Sequence, residues 1–236
     1  MPNLLVPYTD GETSLEGFAS YTIPEKRPAV ILCHAWSGRD KFICEKAEMM
    51  ARWGYVGFAL DMYGKGVLGK SKEENTALKK PFFEDRFLLH SRLMRALDAV
   101  RTVPHVNVTK IAAVGLGFGG LCALDFARCG ASLRGVASVY GHFDPLPSKL
   151  VKPIQSKILI IHGYDDQIVE QEELRGFADE MTKMKVDWQA HVYSNTVHSF
   201  MNPLNNDPAS GVQYNPVSAN RAWHAIQGFL EEIFSN

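Results

Sequence analysis

The chain has 236 residues, 46% of them apolar and 22% charged, with 25 basic against 26 acidic side chains. That composition excludes a disordered or fibrous protein, and a formal net charge of −1 leaves no electrostatic footprint for nucleic acid or an anionic membrane. No apolar run approaches the ~18–20 residues of a membrane-spanning helix. Met1–Glu12 lacks the basic start and apolar core of a signal peptide, so one cytoplasmic domain over residues 1–236 is expected.

Short apolar runs that read as strands alternate with amphipathic segments. In chain order the strands are Ala29–Cys33, Tyr55–Leu60, Ile111–Val114, Gly135–Tyr140, Lys157–Ile161 and Trp188–Tyr193. Several are apolar almost throughout, as in a parallel sheet covered on both faces. A helix is expected from about Pro81 to Val103, with Leu89, Leu93, Leu97 and Val100 on one face and Pro104 as its stop. The last helix carries Ala219, Trp223, Ile226, Phe229, Leu230 and Ile233 at three- and four-residue steps. Two stretches, Gly64–Pro81 and Met201–Ser218, read as irregular loops, either site walls or plain surface. The alternation predicts an α/β fold with one mostly parallel sheet between helices. The four cysteines, at 33, 44, 122 and 129, have no zinc-site spacing and read as reduced thiols, Cys44 and Cys129 within helices.

Ile111–Gly120 reads IAAVGLGFGG, a strand, a glycine-rich turn from Gly115 and then a helix that Gly130 stops. One reading is the GxGxxG dinucleotide fingerprint, which would make the protein a nicotinamide-dependent oxidoreductase. That fingerprint wants an acidic residue about 20 positions on, at the end of the next strand. Here that strand runs into Tyr140-Gly141-His142, and Asp144 comes only afterwards. The other reading is a nucleophile elbow, which requires an acid and then a histidine after later strands. Both are present: Lys157–Ile161 leads into His162-Gly163-Tyr164-Asp165-Asp166-Gln167-Ile168-Val169, and Trp188–Tyr193 leads into His198-Ser199-Phe200.

In these segments the chain resembles the dienelactone hydrolase family of the α/β-hydrolase fold. His34-Ala35-Trp36-Ser37-Gly38 is similar to the family's HExxG turn, and Asp61-Met62-Tyr63 to its DxY. Gly115–Gly120 is similar to its GxCxGG elbow, and the acid and histidine segments to its HGxxDxxV and HSF. The resemblance implies a hydrolase of small esters or lactones without metal or organic cofactor. It also implies that Asp166, three before Val169, is the acid that orients His198.

Two positions depart from the family. Gly117 stands where the cysteine nucleophile belongs, and Ala35 where the glutamate belongs. The changes are consistent with each other, because a carboxylate without its thiol partner would be a costly, partly buried charge. Glycine also adopts strained elbow conformations almost freely. The expectation is therefore a site that has lost covalent catalysis, in which His198 and Asp166 activate water and the amides of Trp36 and Phe118 bind an oxyanion. Ser37, Ser199 and Cys122 are the alternative nucleophiles. Arg86 is expected either near a substrate carboxylate or on a solvated helix face, and Trp36 and Phe200 as apolar pocket walls. His34, His162 and Asp61 read as structural. The expected partner is a small carbonyl compound, with no nucleic acid or membrane, for a monomer or small homo-oligomer. The other outcome is a ligand-binding protein without turnover.

Overall fold

The first two strands, β1 (Asn3–Asp10) and β2 (Thr13–Ser20), form an antiparallel hairpin whose tight turn places Gly11 at φ 58°. This hairpin lies outside the six expected strands, although Asp10-Gly11 between two extended runs is a hairpin signal. The computed structural model describes residues 1–22 and 25–235. Within them follow β3 (Arg27–Cys33), α1 (Lys41–Arg52), β4 (Val56–Ala59), α2 (Lys72–Glu84), α3 (Arg86–Thr102), β5 (Val106–Leu116) and α4 (Phe118–Arg128). The second half adds β6 (Gly135–Val139), β7 (Lys157–Gly163), α5 (Gln171–Lys183), β8 (Trp188–Tyr193), a two-residue pair β9 (Asn206–Asp207) and β10 (Val212–Gln213), and α6 (Pro216–Ser235).

Eight strands make one sheet in the order β1-β2-β4-β3-β5-β6-β7-β8. From β4 to β8 the neighbours are parallel, and within the N-terminal hairpin β2 runs against them while β1 runs with them. The apolar strands divide their residues between two cores with a period of two. In β3, Ala29, Ile31 and Cys33 face the core under α3, α4 and α5, while Val30 and Leu32 face the core under α1 and α6. β5 and β7 alternate in the same way. Burial on both faces explains why these runs are apolar throughout rather than alternating with polar residues.

The segment from 64 to 103 differs from the sequence expectation in two respects. Residues 72–84 are helical, and the helix expected from Pro81 is two helices meeting at Asp85. Ser71 caps α2 by accepting from the Glu74 amide, a Ser-x-x-Glu signature on a segment too polar to show apolar periodicity. Asp85 breaks the ladder because its carboxylate accepts from the amides of Phe87 and Leu88, which starts a new helix.

Arg86 is corrected on both of its expected roles. It is neither solvated nor in a cavity: buried at the start of α3, its Nε and Nη2 donate to the Asp125 carboxylate of α4 at 3.0 and 2.6 Å. Removing one partner of such a pair leaves an uncompensated buried charge. Arg86→Ala should therefore lower unfolding free energy by ~3–5 kcal/mol, measured by urea denaturation, whereas Arg86→Met with Asp125→Leu should recover most of the loss. A single substitution costing less than about 1 kcal/mol would contradict this anchoring.

Candidate active site

The bend between β5 and α4 organises the site. Gly117 has φ 57° and ψ −114°, and its amide donates to Val139 O at 3.0 Å. A Cβ added at Gly115 would lie 1.8 Å from Gly119 O, one at Gly119 2.0 Å from Cys33 O, and one at Gly120 2.5 Å from Gly141 Cα. These three glycines let α4 start against the ends of β3, β5 and β6. Gly117 is different: a Cβ there would meet nothing nearer than Tyr140 at 3.8 Å and His198 Nε2 at 3.9 Å. A side chain fits in space, and only the backbone conformation resists it.

His198 reaches this point from the loop after β8. Its amide donates to Gly211 O, the Gln213 amide donates to its carbonyl, and it pairs with Val212 as an isolated bridge. Nδ1 lies 2.8 Å from Asp166 Oδ2, which leaves Nε2 toward residue 117. Asp166 Oδ1 accepts from the amides of Ile168 and Val169, both at 2.9 Å. Burial opposes ionisation of Asp166, but the His198 hydrogen bond, the imidazole charge and those two amides outweigh it and hold the carboxyl below the usual carboxylate range. Asp165 takes a different part: its carboxylate accepts from the Thr196 amide and joins the acid turn to the histidine loop.

Two more histidines support the walls. The buried His34 accepts from the Met62 amide at Nε2 and so donates from Nδ1 to Ala35 O, which fixes the turn that carries Trp36. His162 donates from Nε2 to Val169 O and braces the acid turn. Asp61 accepts from the amides of Glu16, Tyr63 and Gly64, a structural role as expected. The Trp36 amide donates to nothing among the described residues, and the Phe118 amide, first in α4, has no intrahelical acceptor.

A cleft of about 570 Å³, its open mouth included, lies over Gly117 and His198. Ala35, Trp36, Phe118 and Ser199 line it together with residues the sequence reading did not select, notably Lys79, Tyr140, His142 and Asn205. Tyr140 and His142 follow β6, at the strand ends where open α/β sheets place their sites, and that position was a usable signal. Lys79 was hidden because α2 itself was not recognised. Asn205 belongs to the 201–218 stretch, which does supply part of the wall.

Phe200 is corrected: it is fully buried against Tyr140 and Tyr193 in the core under α1 and α6, away from the cleft. Cys122 is likewise buried in the opposite core, and burial pushes its thiol far up. Ser37 donates to Asp40, and Ser199 accepts from Asn205; among the described residues neither is hydrogen-bonded to His198.

The model of the dienelactone hydrolase family matches residues 17–234. The chain belongs to that family. A dienelactone hydrolase-like promiscuous phosphotriesterase from metagenomic libraries is 31% identical, with a TM-score of 0.94 and 98% of both chains covered. The dienelactone hydrolase of Anabaena variabilis ATCC 29413 superimposes with a TM-score of 0.68 at 21% identity, over 99% of this chain and 97% of its own. Protein usf of Aquifex pyrophilus is 28% identical over 216 residues, 88% of this chain and 89% of its own. Family membership agrees with the resemblance read from the motifs. No helix among the described residues is long and apolar enough to cross a membrane.

Two measurements test this geometry. Gly117→Cys with Ala35→Glu should lower stability by ~1–3 kcal/mol through backbone strain and yield a thiol that iodoacetamide alkylates, because the imidazole favours the thiolate. A folded variant with an inert thiol would show that residue 117 does not face His198. Because the folded Asp166 carboxyl is more acidic than in the unfolded chain, its contribution is complete above about pH 4 and disappears as pH falls through the lower folded value. The stability gap between the protein and Asp166→Asn should thus close as pH falls below about 4.

Proposed function

We propose that this member of the family acts on a small ester- or lactone-type carbonyl compound by direct attack of water. The observation that carries the reading is His198 Nε2, 3.9 Å from the point where a side chain at 117 would begin and facing a backbone with none. Space that a thiol would fill is open to a water molecule or to the substrate carbon. In the reaction, Nε2 takes a proton as the water oxygen bonds to the carbonyl carbon. The Trp36 and Phe118 amides hold the oxyanion. Collapse breaks the carbon–oxygen bond to the leaving group, which receives the proton from the imidazolium, and gives a carboxylic acid and an alcohol. Asp166 holds the Nδ1–H tautomer and stabilises the imidazolium.

Rates should be modest. Loss of a triad nucleophile costs on the order of 10⁶ in turnover and leaves ~10³–10⁴ over water. Gly117 also supports a second reading, a protein that binds the carbonyl compound without turning it over.

A panel of p-nitrophenyl acetate, phenyl acetate, a small lactone and, because a structural relative is a phosphotriesterase, diethyl p-nitrophenyl phosphate separates the two readings. The unmodified protein should accelerate at least one ester by ~10³ over buffer, and His198→Ala should remove tenfold or more of that rate. Equal rates for His198→Ala and the unmodified protein would mean that the dyad is idle. Saturable binding without turnover would select the second reading.

A further inference from the structure

The cleft holds a second imidazole for which the dyad has no use. His142 lies two residues beyond Tyr140, past the end of β6, and lines the same wall as Gly117, Phe118 and His198. Its ring stands edge-on to Phe83 with centroids 5.2 Å apart and lies 6.4 Å from the His198 ring. Neither ring nitrogen has a hydrogen-bond partner among the described residues. This sets it apart from His34 and His162, each of which is tied to backbone. A neutral imidazole carries one N–H and one lone pair, and on this half-buried wall of an open cleft both are free to meet a bound molecule.

The groups facing His142 keep it neutral. Burial lowers its pKa to about 4, the Lys79 ammonium of α2 and the nearby His198 add to the effect, and Asp144 and Asp166 oppose it. Lys79 in turn spreads its charge over the rings of Trp36 and Phe83, each 5.4 Å from Nζ. Between pH 5 and 8 the ring is therefore a hydrogen-bond donor that does not change charge.

On the proposed reaction, we infer that His142 contacts the substrate directly, its N–H donating to the alkoxy oxygen of the ester or lactone while the Trp36 and Phe118 amides take the carbonyl oxygen. An ester offers two oxygens, and the amides of Trp36 and Phe118 account for one. As the carbon–oxygen bond breaks, negative charge grows on the alkoxy oxygen and the His142 hydrogen bond strengthens. The proton that ends on the alcohol comes from the His198 imidazolium, and the His142 N–H stays on its nitrogen. The role matters most for poor leaving groups.

The test compares phenyl acetate with p-nitrophenyl acetate, whose more acidic leaving group needs little assistance. His142→Phe keeps an aromatic ring against Phe83 and removes the donor, whereas His142→Gln keeps an N–H. For phenyl acetate, His142→Phe should lower kcat/KM by ~10–100-fold, with the loss in kcat, and His142→Gln should stay within about fivefold. For p-nitrophenyl acetate both variants should lie within about threefold of the unmodified protein. Equal losses on the two esters, or none on phenyl acetate, would overturn the assignment. His198→Ala distinguishes the failures: a His142→Phe variant without effect beside an inactive His198→Ala sinks this inference alone. Inertness of the unmodified protein toward both esters sinks this inference together with the proposed function.

Discussion

One bend holds the site together. At residue 117 the chain leaves β5 with a positive φ and enters α4 at once, which aims the residue at the imidazole of His198. That turn exists because α4 starts in close contact with the ends of β3 and β6, at glycines that admit no Cβ. The packing around the bend therefore imposes the conformation whatever residue occupies it. A residue with a side chain there would be held in a strained backbone. Glycine meets that conformation without strain, and the imidazole of His198, its Asp166 carboxylate and the amides of Trp36 and Phe118 stand around it.

Few charges face the cleft. Ala35 adds no charge to the turn beside Trp36. What remains is a carboxylate–imidazole pair, a neutral His142 and the shielded ammonium of Lys79. The other buried charges of this half of the molecule serve the fold. Arg86 closes on Asp125, and Arg128 on Glu180 and on the carbonyls of Phe143 and Asp144. These pairs join α3, α4, α5 and the loop after β6 behind the cleft wall.

How much could be read in advance depended on what carried the signal. Elements with an apolar pattern, β3 to β7, α3 and α6, were readable because burial on one or both faces leaves a period in the sequence. α2 was not, because SKEENTALKKPFFE covers the site with few buried contacts and only its Ser71–Glu74 cap marked it. The β1–β2 hairpin had an Asp-Gly turn to announce it, but both strands lie toward the edge of the sheet, where β1 is largely exposed and the pattern weak. Arg86 and Phe200 misled for the same reason. A position along the chain places a residue near a site without saying which way its side chain points.

By itself the sequence determined the family, the parallel α/β sheet, the order elbow, acid, histidine, and the absence of side-chain atoms at 117. Each of these is a statement about residue identity, spacing or burial period, and those survive in one dimension. Tertiary structure alone decided that Arg86 is consumed by Asp125, and that His142 and Lys79 share the cleft with the dyad. Such contacts join residues tens of positions apart, and their partners are chosen by how α2, β6 and the loop after β8 pack, which no local pattern records.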